Sequence, residues 1–121
     1  MRLIIFLATL IITCALLSSI SFADGTYISS CGLNKQVSAA LTHQSPELRG
    51  ANFRKTIVVF PYALQPWTDE EVGGVALLKY NQTKGWVLVL GGGGWMDIST
   101  LLRNHVPRNK AAQLMMELNN C

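Results

Sequence analysis

The chain has 121 residues, and 50% of them are hydrophobic while only 14% are charged. Its 10 Lys and Arg residues outnumber its 7 Asp and Glu residues, which gives a formal net charge of +3. The sequence contains no cluster of four or more basic residues, and the excess of positive charge is too small to favour nucleic-acid binding. The length leaves room for one domain with one modest hydrophobic core.

The N-terminus has the three parts of a secretory signal peptide. Met1 and Arg2 precede an apolar run over residues 3–17, and small and polar residues follow. Residues 21–23, Ser-Phe-Ala, predict cleavage before Asp24. A retained membrane anchor is the alternative, but the run falls short of the roughly 20 residues that span a bilayer. We therefore expect a signal peptide over residues 1–23, a single exported domain over residues 24–121, and no stable membrane insertion after cleavage.

Two cysteines stay in the mature chain, because Cys14 is expected to leave with the signal peptide. Cys31 and Cys121 lie near its two ends, in a compartment where disulfides persist. A bridge between them would close a loop of about 90 residues and, by the chain-entropy model, stabilise the fold by about 4 kcal/mol. Two free thiols or an intermolecular bond are the alternatives.

The first half of the domain predicts a helix and a strand. Residues 33–44 place apolar side chains at helical spacing, and Pro46 follows. Residues 53–60 are rich in β-branched and aromatic residues, which favours a strand closed by Pro61. Residues 62–69 are then expected to form a loop or a short irregular segment.

The second half predicts a hairpin and then two helices. Residues 72–80 and 85–90 flank a short polar connection, and the glycine run, residues 91–94, ends the sheet. Asp97 is a plausible N-cap for a short helix, and Pro107 is placed for the first turn of another. One stripe of that last helix carries Ala111, Leu114, Met115 and Leu118. The predicted class is α+β: an N-terminal helix, an antiparallel sheet of about three strands and two C-terminal helices, with the helices on one sheet face.

The second half also resembles a known family. The residues concerned are 73–79, 85–87 and the glycine run, then Leu101, Leu102, Val106, Pro107, Ala111 and Leu114. They look like the C-terminal half of small secreted bacterial proteins described as copper-uptake-system-associated. The resemblance implies a shared architecture and an accessory role in copper handling, with a bacterial host and a periplasmic location. Those proteins carry glycine where Asn104-His105 stands here, so the turn between the helices is expected to differ.

The residues themselves do not predict a metal site. His43 and His105 are far apart in sequence, and both mature cysteines are expected to be bridged. Met115 and Met116 are adjacent on a helix and point about 100° apart, which suits core packing better than chelation. We expect no metal site and no cofactor.

Enzymatic interpretations are also weak. No Gly-x-Ser-x-Gly motif occurs, and the glycine run lacks the Lys and Ser or Thr of a phosphate-binding loop. Asp69-Glu70-Glu71 is typical of a solvated turn rather than of an acid–base pair. We therefore expect a protein without catalytic activity, although a small hydrolase with an unrecognised site stays an alternative.

The most informative surface feature is aromatic. Tyr62, Trp67 and Trp95 lie in or beside predicted connections, and tryptophan and tyrosine are enriched at binding hot spots. Trp86 is expected to fill the core. These positions, with Gly92 and Gly93, predict a partner surface made by the loop over residues 61–71 and the glycine run. The expected function is an inhibitor, immunity protein or accessory subunit in the periplasm or medium, bound to another exported or envelope protein. A copper accessory protein is the second candidate.

Overall fold

The strands of the protein form one antiparallel sheet in the order β1-β2-β3-β4. The structure is a computed structural model that describes residues 32–121. The strands are β1 (Ile57–Val59), β2 (Tyr62–Asp69), β3 (Val72–Asn81) and β4 (Gly85–Leu90). The helices are α1 (Lys35–Gln44), α2 (Ile98–Arg103) and α3 (Arg108–Asn120), and a 3₁₀ turn (Pro46–Leu48) follows α1.

This architecture confirms the predicted α+β class, with one helix before the sheet and two after it. The signal peptide and Cys31 lie outside the described residues. Within residues 32–121, no helix has the length and apolar character that crossing a membrane requires.

Residues 62–69 form a strand, so the prediction of a loop there was wrong. β2 pairs along its whole length with β3, from Tyr62 opposite Lys79 to Asp69 opposite Val72. Proline cannot donate to a ladder, yet this strand follows Pro61 and contains Pro66. The sheet tolerates them because Pro61 precedes the strand and Pro66 lies where pairing with β1 has already ended. The sheet therefore has four strands, and β1 is shorter than the strand predicted over 53–60.

Helices cover both faces of the sheet, which corrects the prediction that they share one face. Val37 and Leu41 of α1 pack with Ala63, Ala76 and Leu78 on one side. Side chains of α2 and α3 pack on the other side, against Ile57, Leu64, Val75 and Leu77. A strand that is buried on both faces has a continuous apolar run rather than an alternating one. Residues 75–78 of β3, Val-Ala-Leu-Leu, are such a run and are all buried.

The connection between β3 and β4 is the predicted hairpin. The Asn81 side chain accepts hydrogen bonds from the backbone N–H groups of Thr83 and Lys84, at 2.8 and 3.1 Å. Gly85 follows with φ of 77°, a conformation that favours glycine. The turn is therefore fixed by an asparagine at its start and a glycine at its end.

Side-chain caps and a C-terminal motif set the limits of the short α2 helix. Asp97 accepts a 2.8 Å hydrogen bond from Thr100 N–H, which confirms it as the N-cap. At the other end, His105 N–H donates to Leu102 O and Val106 N–H to Leu101 O, both at 3.1 Å. These two bonds define a Schellman motif, whose C′ residue usually is glycine. Here that residue is His105, with φ of 66°.

The outer edge of β4 is capped by a side chain of α1. The Gln44 amide donates to Trp86 O at 2.9 Å and accepts from Leu88 N–H at 2.8 Å. Gln44 therefore bonds to the edge strand as a neighbouring peptide group would. An edge that is occupied in this way is less available for pairing with another chain.

Candidate functional site: a groove beside Trp67

The structure brings most of the predicted partner-surface residues to one end of the sheet. Trp67 is near the end of β2, opposite Gly74 of β3, and the glycine run passes next to Gly74. Trp95 follows that run and is 74% exposed, whereas Trp67 is 9% exposed. Their role in binding stays a prediction, but the two tryptophans border the same depression in the surface.

Tyr62 lies away from this region. It begins β2, five residues before Trp67, which at the rise of a β-strand is about 17 Å along the sheet. Its side chain is buried with the core on the α2 and α3 side. Tyr62 is therefore placed for core packing and does not border the groove.

Glycines on both sides allow the chain after β4 to lie against β3. Gly94 N–H donates a 3.0 Å hydrogen bond to Gly73 O. A Cβ atom on Gly74 would lie 2.8 Å from Gly92 O, 2.9 Å from Gly93 Cα and 2.9 Å from a ring carbon of Trp67. No side chain fits into that space, so Gly74 is required for the glycine run to reach this position. The run in turn places Trp95 at the end of the sheet.

Two adjoining cavities make up what we call the Trp67 groove. One has a volume of about 470 Å³ and the other of about 330 Å³. They share four lining residues: Lys55, Pro66, Trp67 and Thr68. The larger cavity also contacts Asn52, Arg54 and Cys121, and the smaller one contacts Gly73, Gly74, Val75, Gly94, Trp95 and Leu118. These volumes lie within the usual range of ligand sites.

The larger cavity lies where the pairing of β2 with the segment before β1 is interrupted. Pairing runs from Val59–Tyr62 to Ile57–Leu64 and resumes only at Asn52–Thr68. Continued in register, Pro66 would lie opposite Lys55, but proline has no N–H to donate. The Gln65 side chain supplies a donor instead, through a 2.8 Å bond from Nε2 to Lys55 O. The chain can therefore separate from β2 without leaving this carbonyl unpaired.

Trp67 forms the base of the groove and part of the core at once. Its ring packs in the cluster on the α1 side of the sheet. Its Nε1 is the one buried side-chain polar atom among the described residues without a hydrogen-bond partner. Such groups are rare in folded proteins because an unpaired buried donor costs free energy. The indole is therefore held by packing alone.

The groove has a basic part and an apolar part. Arg54 is exposed, and Lys55 is half-buried with its Nζ donating to Leu118 O at 2.9 Å. No Asp or Glu side chain is among the described lining residues. The sequence interpretation missed both cations, because they lie in the segment before β1 and reach the groove only where this segment separates from β2.

Within residues 32–121, no group of three or more His, Cys, Asp and Glu side chains could hold a metal ion. Met115 is packed against the core and Met116 is 54% exposed. Neither histidine is among the residues that line the groove. The copper-handling expectation therefore receives no support from the arrangement of the described residues.

No protein-family model, no curated protein and no solved structure matches the chain. The resemblance to copper-uptake-system-associated proteins accordingly stays an expectation from the sequence.

Proposed function

We propose that the mature chain, residues 24–121, is an exported protein-binding module without catalytic activity, and that its partner contacts the Trp67 groove and the glycine run. The observation that carries this proposal is the exposed indole of Trp95, beside a groove at the end of the sheet. An inhibitor, an immunity protein or an accessory subunit would each use such a surface.

Trp95 is placed so that its burial by a partner would stabilise a complex. Its side chain is 74% exposed, so most of its large apolar surface is available to be buried by a partner. The preceding residue, Gly94, is fixed to Gly73 by a backbone hydrogen bond. A fixed backbone loses less conformational entropy on binding than a free loop does. Binding hot spots are enriched in tryptophan, and each is a central side chain surrounded by other contacts. Trp95 beside the groove has these features.

The test is affinity capture from the envelope and medium fractions of the producing cell, with the mature protein as bait. We expect a stoichiometric partner that the Trp95→Ala variant loses. Met116→Ala is the matched control, because Met116 is an exposed large apolar residue outside the groove. Capture that is equal for all three proteins would contradict the assignment of the groove.

The other two candidate functions have readouts of their own. Isothermal titration calorimetry of the mature protein with copper tests the accessory role in copper handling. A panel of chromogenic ester and peptide substrates tests hydrolysis. A dissociation constant for copper in the micromolar range or below, or turnover that depends on a residue of the chain, would replace the present proposal.

A further inference from the structure

The geometry points to an acidic peptide segment as the ligand of the Trp67 groove, with an apolar side chain next to its carboxylate. This inference rests on the proposed function, and it specifies the chemistry of the partner.

Charge is the first reason. Arg54 and Lys55 border the larger cavity, and no described Asp or Glu side chain lines either cavity. An ammonium group has three hydrogen-bond donors, and Lys55 uses one of them in its bond to Leu118 O. Lys55 is also half-buried, where a charge interacts more strongly than it does in bulk water. A carboxylate in the larger cavity would pair with both cations.

The apolar part of the groove is the second reason. Pro66, Val75 and Leu118 line the smaller cavity together with the two tryptophans. Its volume of about 330 Å³ is large enough for one or two aliphatic or aromatic side chains. A ligand that is only charged would leave this surface exposed to water, so the ligand needs an apolar side chain next to its carboxylate.

The lining of the two cavities sets the direction of the ligand. Arg54 lines only the larger cavity, whereas Val75, Trp95 and Leu118 line only the smaller one. The acidic group therefore belongs at the Arg54 end, and the apolar group belongs beside Trp95.

The experiment uses three matched fluorescein-labelled peptides, in which leucine alternates with glutamate, glutamine or lysine. Fluorescence anisotropy with the mature protein gives their dissociation constants. We expect the glutamate peptide to bind at least about tenfold more tightly than the lysine peptide, and the difference to shrink as salt screens the charges. Arg54→Glu should remove most of the preference for the glutamate peptide. Arg54→Gln should reduce this preference by less.

Lys84→Glu is the control, because Lys84 is an exposed cation on the hairpin turn at the opposite end of β3. It changes the net charge as Arg54→Glu does, so the preference should stay as in the native protein. Urea unfolding of each variant checks that the fold is kept.

Equal binding of the three peptides would overturn the inference, because it would show that the groove does not distinguish ligand charge. An equal effect of Lys84→Glu and Arg54→Glu would also overturn it, because it would show that only the net charge of the protein matters. If none of the peptides binds while Trp95→Ala still abolishes capture of the partner, the acidic ligand is wrong and the proposed function stands. If the peptides do not bind and capture is insensitive to Trp95, both proposals fail.

Discussion

The Thr56 hydroxyl donates a 2.6 Å hydrogen bond to Oε1 of Gln65, and both side chains are fully buried. Thr56 Oγ1 also accepts a 2.9 Å bond from Asn34 N–H, the N-cap residue of α1. The Gln65 amide donates to Lys55 O and Pro66 O at 2.8 and 3.0 Å. The start of α1, the segment before β1 and the middle of β2 are therefore joined by one buried polar network.

Replacement of Gln65 by leucine should destabilise the protein by about 2–4 kcal/mol, because it leaves the Thr56 hydroxyl and Lys55 O without their partner. Urea unfolding monitored by circular dichroism measures this loss. Gln82→Leu is the control, because Gln82 is exposed on the hairpin turn. Thr56→Val combined with Gln65→Leu should cost less than the sum of the two single changes, since the groups are coupled. Additive costs would contradict the network.

Gly74→Ala should destabilise the protein by about 1–3 kcal/mol, the usual cost of overpacking. The new methyl group would lie within 3 Å of Gly92 O and Gly93 Cα, so the glycine run must shift. The same change should weaken binding at the groove, since the run positions Trp95. Gly50→Ala is the control, because a Cβ there meets no atom within 4 Å. Equal unfolding midpoints for the two variants would argue against this close packing.

His105→Gly should stabilise the protein by about 0.5–1 kcal/mol. A left-handed conformation costs a non-glycine residue about 1–2 kcal/mol, and the greater freedom of unfolded glycine offsets part of this gain. His105→Val should have the opposite effect, because a β-branched side chain fits φ of 66° poorly. Thermal unfolding of both variants checks the sign. Destabilisation by glycine would mean that a contact of the imidazole stabilises the fold by more than the left-handed conformation costs.

The stability of the protein should fall in acid partly because of Asp97. Hydrogen bonds from the Thr100 hydroxyl, Thr100 N–H and the Ser99 hydroxyl lower the pKa of Asp97 from 3.8 to about 2. Because the pKa is lower in the folded state than in the unfolded state, the Asp97 carboxylate stabilises the fold above pH 4. This stabilisation is lost as the pH falls towards 2 and the carboxylate is protonated. Asp97→Asn keeps a capping oxygen without titrating. Its free energy of unfolding should therefore change less than that of the native protein between pH 5 and pH 2, and parallel curves would rule out this origin.

The bridge between Cys31 and Cys121 stays a prediction from the sequence, and it can be tested directly. Thr56 N–H donates to Gly32 O at 3.3 Å, and Lys55 Nζ donates to Leu118 O at 2.9 Å. Gly32, the residue after Cys31, and the last turn of α3 therefore contact two consecutive residues, Thr56 and Lys55. We expect the oxidised exported protein to be lighter by two hydrogens than the reduced one, and Cys31→Ser with Cys121→Ser to lose up to about 4 kcal/mol. Reaction of both native thiols with a maleimide under denaturing, non-reducing conditions would contradict the bridge.

Sequence patterns predicted correctly the elements whose signals are local. The Asp97 cap, the turn that follows Asn81 and the stripe of α3 depend on side chains a few residues apart, so they were correct. The helix predicted over 33–44 differs from α1 by two residues at its start, because Asn34 caps the helix from outside it.

How these elements combine depends on contacts between distant parts of the chain. β2 is a strand because β3 pairs with it throughout and because Gln65 compensates for Pro66. A short stretch of sequence predicts neither of these two interactions. The two covered faces depend on where the helices pack. The groove depends on contacts between distant parts of the chain, such as Gly73 with Gly94 and Lys55 with Leu118. Sequence periodicity describes neighbours along the chain, whereas a binding surface is made by residues that only folding brings together.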